Sequence, residues 1–371
     1  MLVVGLAVAL GLCDVAVARD YGDVRVLSQV PQPGFPEGIA VENGKAYVSG
    51  PAHFGTAGNL QRSPIWVFSA ATGALLDTIE VQGENTVTEH ANSCLAFDGT
   101  GRLYVLNTQL GVLRVNPATH AQEVYSPLVP DLPACNATLN PLKPCAPTLA
   151  DTPQLPNDLA FDPAGNLYIT DSLQATIWKV PAGGGPAQIW FQDRKLSSPY
   201  IGVNGIRIDP TRTRVFFTVT TDRQGGGYVY SLPLVNKPTA AQLQVFHKYD
   251  LGESPDGIAF GASGKLYVTL ALPMYSGLSI LRSDGSEETR FVDDDSPLVE
   301  LAVHKIVELH LAIGLGSPIA PYDSPANLAF TPAGSALVTN HAFATMLPNH
   351  FRVLDVFVND VGSPLVKPIL P

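Results

Sequence analysis

The sequence predicts an all-β chain folded as a six-bladed β-propeller, and three observations carry that prediction. A phrase of polar residue, apolar strand, turn and second strand recurs six times along the 371 residues. Strand repeats of roughly 40 to 50 residues are the mark of one copy per blade. Gly 33 and Pro 32 suit many short strands joined by turns. Both ends, 23–30 and 351–358, read as strands, so one terminus can pair into the other's blade and remove a sheet edge.

Taken in order, residues 1–18 read as a secretory signal. Leu2 to Leu12 is apolar but too short to span a bilayer, and Ala16-Val17-Ala18 fits a small-x-small cleavage site. The propeller then occupies 19–371. Its first copy is Pro36-Glu37-Gly38-Ile39-Ala40-Val41 with Lys45-Ala46-Tyr47-Val48, and its second is Ala91-Asn92-Ser93-Cys94-Leu95-Ala96-Phe97 with Arg102-Leu103-Tyr104-Val105. A Pro-rich insertion from about Ser126 to Leu155 follows. Cys135 and Cys145 bracket its centre and are expected to pair in an oxidising compartment, and Asn136-Ala137-Thr138 is a glycosylation sequon. Cys94 is expected to be a buried free thiol.

The third and fourth copies are Pro156-Asn157-Asp158-Leu159-Ala160-Phe161 and Val203-Asn204-Gly205-Ile206-Arg207-Ile208. The fifth is Pro255-Asp256-Gly257-Ile258-Ala259-Phe260, and the sixth is Pro325-Ala326-Asn327-Leu328-Ala329-Phe330. Between the last two, Pro297 to Ile313 has apolar residues at helical spacing after Asp293, Asp294, Asp295 and Ser296. That pattern predicts a short helix between blades five and six.

The polar residue opening each copy is read as one ring at a mouth of the central channel: Glu37, Asn92, Asn157, Asn204, Asp256 and Asn327. Taken singly, such residues often close local turns. In register, two carboxylates among amide carbonyls suit a hard divalent cation, Ca²⁺ first, whereas zinc or copper would call for His or Cys. His90 and His341 fall close to the ring. A net charge of −11 with no basic patch speaks against nucleic acid. No stretch after the first 18 residues is long and apolar enough for a membrane span, and the protein is expected to be secreted and monomeric.

The Glu of Pro-Glu-Gly, the Asn of Pro-Asn-Asp and Val-Asn-Gly, and the Asp of Pro-Asp-Gly resemble the senescence-marker-protein/gluconolactonase-like propellers. Asn157 to Ser172 is the most specific stretch of a likeness that covers nearly all of the mature chain. The resemblance implies one divalent metal held by Glu37, Asn204 and Asp256, with Asn157 as a further ligand or substrate contact. It implies hydrolysis of a lactone or related cyclic ester, in which Asp256 and Asn157 act on the reaction. Asn92, Asn327, His90 and His341 are the candidates for substrate contact. Few basic residues lie near these motifs, and Phe54, Tyr200, Met274, Tyr275, Phe343 and Met346 fall in loops, so a small hydrophobic cyclic substrate is expected. Two alternatives stay open. Some fungal propellers similar to this family join tropolone-type quinone methides to terpenes by hetero-Diels–Alder chemistry, which needs a shaped apolar pocket. A binding propeller without chemistry is the other.

Overall fold

The computed structural model describes residues 19–52, 59–135, 144–272, 275–292 and 322–370. The signal segment, the predicted helix over 297–313, Asn136, Phe54 and Met274 lie outside the described residues. Helix within them is confined to short 3-10 turns such as Arg194–Leu196.

The chain forms six four-stranded antiparallel sheets. After β1 (Val24–Gln29), blade one holds β2 (Ile39–Glu42), β3 (Lys45–Ser49), β4 (Pro64–Ser69) and β5 (Leu75–Glu80). Blade two holds β6 (Asn92–Phe97), β7 (Leu103–Asn107), β8 (Gly111–Val115) and β9 (Gln122–Ser126), and blade three β10 (Pro156–Phe161), β11 (Leu167–Asp171), β12 (Thr176–Val180) and β13 (Gln188–Gln192). Blade four is β14 (Val203–Ile208), β15 (Arg214–Val219), β16 (Gly226–Pro233) and β17 (Gln244–Leu251), and blade five β18 (Pro255–Phe260), β19 (Leu266–Leu270), β20 (Gly277–Leu281) and β21 (Glu287–Val292). Blade six is β22 (Pro325–Phe330), β23 (Ser335–Asn340) and β24 (Arg352–Phe357), completed by β1 along its outer edge. The expected closure through the two ends is present.

The first strand of each blade lies innermost, and these six strands touch one another in cyclic order, β2 against β22 included. The hydrophobic core is divided into six clusters, one per seam between blades. The recurring Tyr and Phe explain how the seams close. Tyr47 meets Phe97 edge-on at 4.9 Å, Tyr104 meets Phe161 at 4.9 Å, and Tyr267 meets Phe330 at 4.9 Å. Each pair joins the second strand of one blade to the first strand of the next, and edge-to-face geometry favours such rings.

The C-terminal residues run as an arc over the face opposite the predicted ring. Ser363 N donates to Phe260 O at 2.8 Å, Lys367 pairs with Glu42, and Gly99 N donates to Pro368 O at 2.8 Å. Leu370 ends the arc inside the seam between blades two and three. Cys135 and Cys145 are joined as a disulfide.

Candidate functional site

The innermost strands do not run regularly from their first residue. In five blades the pairing of the first strand with the second slips by one residue, two residues on the first strand facing one on the second: between Asn92 and Leu95, Pro156 and Leu159, Val203 and Ile206, Pro255 and Ile258, and Pro325 and Leu328. Bulges of this kind take residues out of the ladder and re-aim their side chains. The bulged pairs are Ser93-Cys94, Asn157-Asp158, Asn204-Gly205, Asp256-Gly257 and Ala326-Asn327, and the shared Ile/Leu-Ala motif places Glu37-Gly38 in the same register.

This register corrects the predicted ring at two positions. Its first layer is Glu37, Ser93, Asn157, Asn204, Asp256 and Ala326. Asn92 precedes its bulge and is held between blades, donating to Pro64 O at 3.2 Å and accepting from Asn107 at 3.0 Å. Asn327 is the second residue of its bulge and lies one layer deeper. Ser93 turns its hydroxyl to Pro156 O at 2.9 Å. Four polar side chains therefore define the mouth: Glu37, Asn157, Asn204 and Asp256.

The second layer is Gly38, Cys94, Asp158, Gly205, Gly257 and Asn327. Glycine is required where strands crowd the axis: a Cβ on Gly38 would stand 2.5 Å from Cys94 Cα, and one on Gly205 2.4 Å from Asp256 O. Between these glycines the space is filled by Arg207. Five blades carry Ala at its place in the strand (Ala40, Ala96, Ala160, Ala259 and Ala329). Arg207 Nη1 donates to Asp158 Oδ2 at 2.7 Å and Nη2 to Asn327 Oδ1 at 3.2 Å, so one side chain ties blades four, three and six. Asn327 also donates to the buried Cys94 sulfur at 3.1 Å. The sequence reading missed this floor, although one Arg among five alanines was its visible sign.

Hydroxyls fix the backbone of the mouth. Thr339 donates to Glu37 O at 2.6 Å, Thr218 to Asp256 O at 2.6 Å, Thr269 to Ala326 O at 2.8 Å and Ser172 to Val203 O at 2.7 Å. Ser49 bonds Ser93 O and Ser93 bonds Pro156 O, which completes a cycle of six blade-to-blade staples.

The electrostatics of the mouth are unfavourable without a cation. Burial pushes the Glu37 carboxyl up to about 8, helped by the negative charge of Asp158. Burial raises Asp256 well above the carboxylate range, with Glu37 and Asp158 adding to it and the Asn204 amide opposing. Thr220 takes the Asn204 amide nitrogen at 2.9 Å, and the Asn204 carbonyl oxygen is left buried with no partner. The Asn157 side-chain oxygen is likewise buried and unpartnered. Buried polar atoms are rarely left so. Two hard carboxylates and two orphaned carbonyl oxygens fit a divalent cation of the Ca²⁺ or Mg²⁺ kind. Among the described residues no three His, Cys, Asp or Glu side chains form a metal cluster, so the set depends on its two asparagines.

The two histidines separate. His341 Nε2 lies 2.6 Å from Ala52 O and 3.6 Å from Glu37 Oε2, which places it at the mouth. His90 lies with its ring nitrogens 2.8 Å from Thr88 O and 2.8 Å from Gln61 O, strapping two loops together.

No protein-family model matches this sequence, and no curated protein sequence matches it. Solved structures do share its fold. Regucalcin from Agrobacterium tumefaciens strain C58, described as a calcium-binding protein, superposes with a TM-score of 0.61 at 17% identity, covering 96% of this chain and 100% of its own. A luciferin-regenerating enzyme gives 0.58 at 11% identity, over 94% of this chain and 100% of its own. A protein provisionally assigned as a gluconolactonase gives 0.55 at 14%, over 92% and 94%. This chain is a six-bladed β-propeller. At these identities the likeness establishes that architecture, and the chemistry has to be argued from the site.

Proposed function

We propose that this protein hydrolyses a lactone or related cyclic ester, using a divalent cation, calcium first, held at the channel mouth by Glu37, Asn157, Asn204 and Asp256. The observation that carries the reading is the pair of buried, unpartnered carbonyl oxygens on Asn157 and Asn204 beside two carboxyls whose ionisation is opposed by burial. The calcium-binding description of regucalcin and the gluconolactonase assignment of a second neighbour agree with it. The Cys135–Cys145 disulfide suits a secreted protein.

When bound, the cation would polarise the ester carbonyl and make water a better nucleophile. The residues of the chain supply the rest. Asn157 and Asn204 fix orientation. The Asp256 carboxylate takes the proton as water adds to the ester carbon, and the proton passes to the ring oxygen as the C–O bond breaks, giving a hydroxy acid. The Arg207–Asp158 pair closes the channel beneath and keeps bulk water out. Tyr200, Phe343 and Met346 stand exposed on loops that open from the same end of the blades, and would meet an apolar part of the substrate.

The test is hydrolysis of a panel of aromatic and aliphatic lactones with and without chelator. Turnover that is lost on chelation, restored by calcium and abolished in Asp256→Asn is expected. Turnover indifferent to chelator and to that substitution would end the metal-centred reading.

A further inference from the structure

A second feature of the mouth face is a cavity of about 350 Å³ that none of the ring residues lines. It opens between the loop joining β13 to β14 and the loop joining β15 to β16. Both loops leave the blades at the end where Asn204 begins. Thr221 N donates to Ile201 O at 3.0 Å, and the Ser198 and Thr221 hydroxyls lie 2.7 Å apart, so the loops are stitched together. Thr220, the partner of Asn204, adjoins the same stitch.

The lining is cationic in a chain of net charge −11. Arg194, Lys195 and Arg223 face it against one carboxylate, Asp222. That carboxylate is occupied: its Oδ1 accepts from Gln224 N at 2.7 Å and Gly226 N at 2.9 Å. Arg223 is not satisfied. Its Nε and Nη2 are buried with no hydrogen-bond partner. Leaving guanidinium N–H groups buried and unmet is costly, and their fork geometry matches a carboxylate in a bidentate pair. Ser197, Gln224, Tyr228 and Tyr230 complete the lining. Tyr228 and Tyr230 stack with centroids 5.2 Å apart and planes 17° apart, offering an apolar surface beside the charge.

We propose that this cavity binds the carboxylate of a small molecule that carries a flat ring, with Arg223 as the principal contact, Arg194 and Lys195 adding attraction, and the tyrosine pair receiving the ring. Resting on the hydrolase reading, this makes the substrate or product an anionic cyclic compound rather than a purely hydrophobic one. Few basic residues lie near the ring motifs in sequence, and only the fold shows that two loops separated by two strands of blade four bring three cations to one place.

Benzoate is the probe, with benzyl alcohol as its uncharged counterpart, titrated calorimetrically into the full-length protein. Saturable benzoate binding is expected, with benzyl alcohol bound far more weakly. Arg223→Gln should weaken benzoate by about ten- to a hundredfold, the loss of a charge-assisted pair. Should Arg223→Gln misfold, Arg194→Gln with Lys195→Gln, both on exposed side chains, should weaken binding several-fold and flatten its loss with salt. Asp256→Asn should bind benzoate as the parent does, which separates this site from the metal centre. No saturable binding, equal binding of benzyl alcohol, or binding unchanged in both sets of variants would overturn the proposal, and chelator-sensitive lactone hydrolysis would stand or fall separately.

Discussion

At the residue scale, Arg207 decides what the channel is. It stands where five blades carry alanine and places an ion pair with Asp158 beneath the mouth. Removing one partner of a buried pair leaves the other charge unmet. Arg207→Met is therefore expected to cost about 3–5 kcal/mol in urea unfolding, with part of the loss recovered when Asp158→Asn is added. Equal stability of Arg207→Met and the parent would show that Asp158 does not depend on it.

The two mouth carboxyls give a pH dependence whose sign follows from their direction. Unfolded, Glu37 titrates near 4.5, but in the fold it is raised to about 8, and Asp256 is raised as well. Across that window the metal-free native state holds protons that the unfolded chain has released, so stability falls as pH rises. Chelated protein should lose melting temperature between about pH 5 and about pH 8, calcium should restore it most at the upper end, and Glu37→Gln should flatten the slope. A rising or flat profile, identical in Glu37→Gln, would contradict the assignment.

At the scale of elements, the bulge at the head of five of the first strands is what turns a β-strand into a binding device. It sets Asn157, Asn204 and Asp256 outside the ladder, while a hydroxyl of the preceding blade, from Ser93, Ser172 and Thr218 in turn, holds the adjoining backbone. Thr339 illustrates the coupling: its hydroxyl donates to Glu37 O at 2.6 Å and accepts from Asn327 N at 2.9 Å. Thr339→Val should cost about 1–3 kcal/mol, the range for leaving buried groups unmet, and should weaken calcium binding by displacing Glu37. Unaltered denaturation and calcium affinity would show that the staple is dispensable.

The strands and the four mouth residues were legible because the Ile/Leu-Ala repeat and the Tyr and Phe of the seams recur in sequence. Asn92 and Asn327 were misplaced because an asparagine one residue early or late looks the same to pattern reading. Only the bulge register tells which layer a side chain enters. The Asp158–Arg207 pair was hidden for a related reason, since its partners come from different blades and become neighbours only when the innermost strands are set side by side.

At the scale of the whole molecule, closure is achieved twice. β1 completes blade six, and the C-terminal arc binds blades five, six, one, two and three on the far face. The arc also repairs a gap in the repeat. Asp98 and Asp162 hold Tyr104 and Tyr168 in blades two and three at 3.2 and 3.1 Å. Blade five has Gly261 at that place, and Asp360 from the arc takes the Tyr267 hydroxyl at 2.9 Å. Leu370, buried in the seam between blades two and three, anchors the end. Leu370→Ala is expected to lose about 2–5 kcal/mol with the mouth chemistry unaltered, read by calorimetry beside calcium affinity. Loss of calcium affinity without loss of stability would reverse that expectation.

The most direct test of the whole account is a calcium-binding isotherm of chelator-stripped protein at neutral pH, taken beside Asp256→Asn. The mouth described here predicts one saturable site per chain in the parent and its loss in the variant, whose circular dichroism stays that of the folded propeller. Absence of saturable binding in the parent, or equal binding in Asp256→Asn, would contradict a metal centre built from Glu37, Asn157, Asn204 and Asp256.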